Sequence, residues 1–195
     1  MKNSYTVFGR GFVGTNVVKF LRKKKYKVFL PKKGKFKFNK NLHNIIYCIG
    51  GVNFINDPEG EFDANLGIVP KIIFNNKFTS FTYISSTRVY LSNPHNKTKE
   101  NDLIYINSNI ENFFHNSLKL TAESLCLSLR NKNIKVVRVA NLFGNNFTNQ
   151  ILLLPTLIRS SLKGKKINIF VNKKSSKDYI HIDEVSDILI KIIKK

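Results

Sequence analysis

The chain has 195 residues, 42% hydrophobic and 12% aromatic, which excludes a disordered chain and is enough for one compact core. Lysine and arginine number 33 against 12 acids, a net charge of +21 with a pI near 10.1. The lysines are spread along the whole chain, and Lys, Asn, Ile and Phe are abundant together while Trp is absent. That composition reads as the drift of an AT-rich genome more than as a nucleic-acid footprint.

Taken in chain order, Ser4–Phe8 (SYTVF) is a short apolar strand. Thr15–Lys25 has helical spacing through Val17, Val18 and Leu21, and its terminal lysines suit the helix dipole. Lys27–Leu30 is a second strand, and Asn44–Gly51 a buried strand running into glycines. Phe62–Phe74 is mostly helical, with Pro70 demanding a kink or a break. Ser80–Ser86 is another strand, and Asn112–Arg130 the longest helix, with Leu118, Ala122, Leu125 and Leu129 on one stripe. Ile134–Gly144 is strand, then loop. This alternation implies an α/β fold, a parallel sheet covered by helices. No apolar run is long enough to span a bilayer, the start is not a signal peptide, and Cys48 and Cys126 form neither a disulfide framework nor a zinc site; a cytoplasmic location is expected.

The first strand-turn-helix carries FGRGFVGTN, with Gly9, Gly11 and Gly14 as GxGxxG. The three glycines serve a tight turn, backbone approach to a pyrophosphate, and close helix–strand packing. An acid at the end of the second strand would bind an adenosine ribose. The chain has LPKKGK there instead, with Lys32 and Lys33, and Arg10 lies within the glycine loop. Three cations and no acid favour NADP(H) over NAD(H). The residues around Gly9 to Gly14, including Phe12 and Val13, are the cofactor-binding candidates, joined by Ile49 and Gly50 after the buried strand.

In order and spacing, FGRGFVG, NIIYCIGG, FDANLG with Asn65, FTYISSTRVY, HNSLKLTAE, VVRVANLFG and KDYIHIDEV resemble the extended short-chain dehydrogenase/reductases. Within these, the similarity is to the NAD-dependent epimerase/dehydratase family acting on nucleotide sugars. The resemblance covers nearly the whole chain. It implies a Rossmann-like, doubly wound parallel sheet with helices on both faces, a nucleotide-sugar substrate and a role in bacterial surface polysaccharide synthesis. It also implies one domain over residues 1–195, with about 145–195 supplying a reduced substrate-binding part, and a homodimer through the helix bearing Lys119.

The family's active site combines a Ser or Thr, a Tyr and a Lys. By resemblance the Ser/Thr position falls on Ser86, the Lys on Lys119 and the Tyr on His115, a departure from the pattern. Asn65 and Lys119 belong to the cofactor set, and Arg88 and Asn141 to the substrate set. Histidine, with a reference pKa near 6.5, exchanges protons at neutral pH without the help a phenol needs. His115 and Lys119 are therefore either a proton-transfer pair or two polar residues on a wet helix face. Asn141 either contacts ligand or stabilises a loop; Arg88 and Tyr90 either line the pocket or sit in a loop. His181 and Asp183 fit a cap at the start of the last helix better than an acid/base pair. Two other departures are a short connection between the second and third strands, where KFKFN replaces the usual helix and strand, and an end soon after KDYIHIDEV. The readings carried forward are an epimerase, dehydratase or reductase, and a catalytically degenerate dinucleotide-binding module that regulates a partner.

Overall fold

Strand β1 (Ser4–Phe8) shows how the core is divided. Successive side chains of a strand point to opposite faces. Tyr5 and Val7 join one buried cluster, and Phe8 joins another. The same alternation places Ile46 in the first cluster and Ile45 and Tyr47 in the second. A sheet buried on both faces needs continuous apolar strands, which is why the run Ile45–Tyr47 does not alternate with polar residues.

This computed structural model describes residues 3–50, 56–94, 97–109, 113–144, 153–166 and 176–195. Strands β1, β2 (Lys27–Phe29), β3 (Asn44–Tyr47), β4 (Ser80–Ser86) and β5 (Ile134–Val139) form one parallel sheet in the order β2-β1-β3-β4-β5. Right-handed crossovers then fix which face each helix covers. Helix α1 (Phe12–Lys23) leads from β1 outward to β2 and covers the Tyr5/Val7 face through Val17, Val18 and Leu21. The chain then reverses direction, crossing β1 to reach β3. That reversal puts a crevice at the carboxyl ends of β1 and β3, where open α/β sheets bind ligands.

The connection from β2 to β3 has no helix. Phe36 and Phe38 pack against the second cluster in its place, Phe38 edge-on to Phe29 at 5.4 Å, and Leu42 is buried behind them. The KFKFN segment thus covers the sheet with two aromatic rings. Beyond β3, helix α2 (Pro58–Phe62) opens at Asp57, whose carboxylate accepts the Gly60 N–H at 2.9 Å, with Pro58 at the first helical position where no donor is needed. A π-helical turn over Asp63–Gly67 leads into α3 (Ile68–Asn75). Pro70 lies in the first turn of α3 and breaks nothing. The expected break is replaced by a change of hydrogen-bond register, in which the Ile68 N–H reaches the Asp63 carbonyl. Two buried tyrosines hold the π turn from the sheet: Tyr47 donates to the Ala64 carbonyl at 2.6 Å and Tyr83 to that of Asn65 at 2.9 Å. Their rings stack at 5.6 Å.

Helix α4 (Phe113–Ser128) joins β4 to β5. Leu118 and Ala122 are buried as the apolar stripe requires, but Asn116, Lys119 and Glu123 are buried as well. A second, polar stripe is therefore sealed against the sheet. Besides α2 and a 3₁₀ turn over Thr87–Tyr90, three described elements have no counterpart in the sequence-based assignment: β6 (Asn141–Phe143) and β7 (Tyr179–His181), which pair in a small parallel sheet, and α5 (Leu153–Leu162). Helix α6 (Ile182–Lys194) packs on α1 through Val185, Leu189 and Ile190. Gly51, Asn112 and the segments 145–152 and 167–175 lie outside the described residues. Among the described residues no helix is long and apolar enough to cross a membrane.

Candidate active site and dinucleotide cleft

The glycine loop is demanded at two positions by the protein and at a third by nothing in it. Gly9 has φ +121°, and a Cβ there would meet the Cys48 carbonyl at 2.7 Å. A Cβ on Gly14 would stand 2.2 Å from the Gly9 carbonyl oxygen, so α1 could not lie this close to β1. Gly11 has φ −75° and ψ −167°, open to any residue, and a Cβ there would meet nothing within 4 Å. Its missing side chain leaves space on the cleft side, as close backbone approach to a pyrophosphate requires. The first turn of α1 carries no acid and Gly11 gives it no side-chain cap, so no carboxylate offsets the positive dipole end there.

A cleft of about 710 Å³ opens over this loop. Phe8, Gly9, Arg10 and Gly11 form its floor with Ile49 and Gly50, and Pro31, Lys32 and Lys33 its β2 wall. Phe12, Val13 and Gly14 follow as the first turn of α1. Arg10 donates through Nη2 to the Pro31 carbonyl at 3.0 Å and so ties the glycine loop to the end of β2, beside the two lysines. The opposite wall is acidic, with Asp57, Glu61 and Asp63 from α2 and the π turn. Two buried acceptors, Glu61 Oε2 in that wall and Asn65 Oδ1 behind it, have no donor among the described residues. Asn65 Oδ1 lies 3.9 Å from where a Cβ of Gly50 would be. Open space at Gly11, an uncapped helix start and buried acceptors that hydroxyl groups would satisfy together fit a dinucleotide.

The second group lies at the carboxyl end of β4. Ser86 is its last residue, and Ser86 Oγ accepts the Arg88 N–H at 3.2 Å, starting a 3₁₀ turn over Thr87–Tyr90. Helix α4 is stitched to this strand end on both sides of the serine: Lys119 Nζ donates to the Ile84 carbonyl at 3.0 Å, and Asn116 Nδ2 to the Arg88 carbonyl at 3.1 Å. The wet-surface alternative for the pair does not hold for Lys119, which is only 6% exposed. Burial lowers its ammonium to about 8, against the opposing pull of Glu61 and other neighbours. His115, one turn earlier, turns its Nδ1 to the Oε1 of Glu61, a carboxylate 2% exposed that is also bonded by Asn65 Nδ2 at 2.5 Å.

Glu61 is the residue sequence reasoning missed. It sits on a five-residue helix 54 positions from its partner, and no local pattern announces it. A second buried carboxylate, Glu123, is held by Arg138 through Nε and Nη2, while Arg138 Nη1 reaches Tyr90. Tyr90 thereby anchors the 3₁₀ turn that follows Ser86. Arg88 lies exposed in that turn. The Asn141 side chain donates to the Asp178 carbonyl at 3.0 Å, which makes it a brace between β6 and β7. His181 caps α6, its Nδ1 accepting the Asp183 N–H at 3.3 Å. Burial pushes the thiol of Cys48, next to the glycine loop, up to about 12, which keeps it protonated and inert.

The family profile described as "NAD dependent epimerase/dehydratase family" matches residues 52–195. No curated protein matches the chain. Among solved structures, a UDP-N-acetylglucosamine 4-epimerase from Methanobrevibacter ruminantium, in complex with UDP-N-acetylmuramic acid, superposes with a TM-score of 0.80 at 18% identity, over 100% of this chain and 74% of that one. A UDP-glucuronic acid 4-epimerase from Bacillus cereus, with UDP-glucuronic acid and NAD, gives 0.78 at 16% identity, over 98% and 73%. RMD from Pseudomonas aeruginosa, complexed with NADPH, gives 0.74 at 18% identity, over 97% and 74%. At these identities the superpositions establish the shared fold.

Proposed function

The chain belongs to the NAD dependent epimerase/dehydratase family, and on that premise we propose that it is an NAD(P)-dependent enzyme acting on a nucleotide sugar, as an epimerase, dehydratase or reductase. The observation that carries the proposal is the glycine loop, in which Gly9 and Gly14 are filled by protein while Gly11 meets open space at a cleft whose far wall includes Glu61, the partner of His115. Surface polysaccharide synthesis is the pathway class the family resemblance suggests. Of the solved structures named above, the Bacillus cereus 4-epimerase carries UDP-glucuronic acid with NAD, and RMD from Pseudomonas aeruginosa carries NADPH.

NADP(H) is the preferred cofactor in this reading. Arg10, Lys32 and Lys33 gather at the end of β2, and the acids of the cleft stand on the α2 wall instead. The glycine loop and the start of α1 would hold the pyrophosphate, and Gly50, Asn65 and Lys119 would serve the rest of the dinucleotide, Lys119 at the nicotinamide ribose. When bound, the dinucleotide would supply reversible hydride transfer at a sugar carbon. The protein handles the accompanying proton. Ser86 Oγ accepts from Arg88 and so keeps its own O–H to donate to the reacting oxygen. His115 takes the hydroxyl proton on a ring nitrogen as the carbonyl forms, and gives it back on return. Lys119, buried and cationic at neutral pH, raises the positive potential there.

The direct test is thermal stability with NAD, NADH, NADP and NADPH in turn. A ligand at about 100 times its dissociation constant adds about 2.7 kcal/mol, several degrees for a domain of this size. The expected result is the largest shift with NADP(H), followed by a further shift with a UDP-sugar on that complex; no shift with any of the four overturns the proposal. One observation favours the catalytically degenerate module as a second reading: histidine stands where the family resemblance expects tyrosine. Under it the dinucleotide shift persists, and no UDP-sugar is turned over.

A further inference from the structure

We propose that Glu61 is a positioning residue that fixes the tautomer of His115 and thereby rebuilds the proton-transfer site around a carboxylate–imidazole pair. The inference rests on the reading of His115 as the acid/base group. The geometry comes from three elements that are distant in sequence. Glu61 lies on α2, 2% exposed, and its Oε1 meets His115 Nδ1 on α4. Asn65 Nδ2 bonds both the Glu61 carboxylate, at 2.5 Å, and the Glu61 carbonyl, at 3.0 Å. Tyr83, from β4, holds the Asn65 carbonyl at 2.9 Å. The carboxylate is thus braced on the α2 side by a residue that is itself pinned to the sheet.

A carboxylate can only accept, so the ring must present Nδ1–H to it. The neutral imidazole then has its lone pair on Nε2, and that atom is the one that exchanges a proton. In the forward direction Nε2 takes the sugar hydroxyl proton as the carbonyl forms, and a bound oxidised dinucleotide would supply the acceptor for the hydride from the same carbon. Nδ1–H stays on the ring, and the positive charge gained lies against Glu61. On return Nε2 gives the proton back, so protons and electrons balance over the cycle. A carboxylate in this role orients and compensates without being protonated. The buried corner is otherwise balanced, with Lys119 and Arg138 facing Glu61 and Glu123.

A purely structural ion pair would join α2 to α4 equally well, so the decisive readout is the tautomer. Long-range proton–nitrogen correlation spectra of ¹⁵N-labelled protein, with the His115 ring assigned from a His115→Gln variant, report which nitrogen carries hydrogen above the titration range. The expected result is the Nδ1–H form in the wild type, and its loss in Glu61→Leu, which has no acceptor, in favour of the Nε2–H form that free histidine prefers. An Nε2–H ring in the wild type overturns the inference, whether or not the variant folds, and so does a ring unchanged in the variant. In the second arm, Glu61→Gln should lower kcat about 100-fold with the UDP-sugar that the wild type turns over, and Glu61→Asp should recover part of it. Equal turnover in wild type and Glu61→Gln also overturns it. Failure of the functional reading appears elsewhere, as the absence of any dinucleotide-induced thermal shift in the wild type.

Discussion

The glycine loop over β1 and the charged corner beneath α4 are neighbouring polar sites held in opposite ways. The loop is made of backbone: its shape follows from missing side chains at Gly9 and Gly14, and its attraction for an anion from the positive dipole end of α1, whose first turn carries no acid. The corner is made of side chains brought together from α2, the π turn, β4 and α4, with Glu61, Lys119 and Glu123 all nearly out of water. A backbone site costs little stability and tolerates a basic, drifting surface around it. A side-chain site buries charge, and its stability depends on pairing.

The comparison can be broken most severely at Gly14. Gly14→Ala places a methyl 2.2 Å from the Gly9 carbonyl and must push α1 off the sheet. A loss of about 3 kcal/mol or more in urea unfolding is expected. A loss below about 1 kcal/mol would show that helix and strand are not locked through this contact.

Lys119 tests the other site, with the opposite sign. Its pKa falls from 10.5 to about 8 on folding, so the charged form costs roughly 3 kcal/mol at neutral pH. Lys119→Met should therefore raise stability by about 2 kcal/mol at pH 7, after about 1 kcal/mol is given up with the bond to the Ile84 carbonyl. Between pH 8 and 10.5 the unfolded chain still binds the proton and the folded chain has released it, so wild-type stability rises with pH and the gap to the variant closes. Parallel unfolding curves of the two proteins across that range check the sign. The same variant should lose dinucleotide binding.

Tyr83→Phe sharpens the comparison from the sheet side. It removes the donor from the buried Asn65 carbonyl, with an expected cost of about 1–2 kcal/mol in thermal or chemical unfolding. The smallest stability effect belongs to Gly11→Ala, within about 0.5 kcal/mol, because nothing in the protein lies within reach of the new methyl. Dinucleotide affinity should nonetheless fall about tenfold, equivalent to 1.4 kcal/mol, in calorimetry. A stability cost at Gly11 matching that at Gly14 would mean that both glycines serve packing alone.

What the amino-acid order determined by itself is local. The continuous apolar strands, the helical spacing of Val17, Val18 and Leu21, the glycine loop between β1 and α1, and the alternation that makes a parallel sheet are all legible, because each is set by residues within about one element of each other. The positions of Ser86, His115 and Lys119 are legible only through the order of motifs along the chain. Tertiary structure decided the rest. Pro70 reads as a kink or a break, and the structure meets it with a π turn pinned by Tyr47 and Tyr83 rather than an interruption of the helix. The apolar stripe of α4 reads correctly through Leu118 and Ala122 but conceals a buried polar stripe at Asn116, Lys119 and Glu123. No pattern in the sequence marks Glu61, and only its placement against a helix 54 residues away makes it the partner of His115. The reason is physical: backbone geometry and periodicity are short-range, whereas the environment of a charge is fixed by whichever distant side chains the fold packs around it.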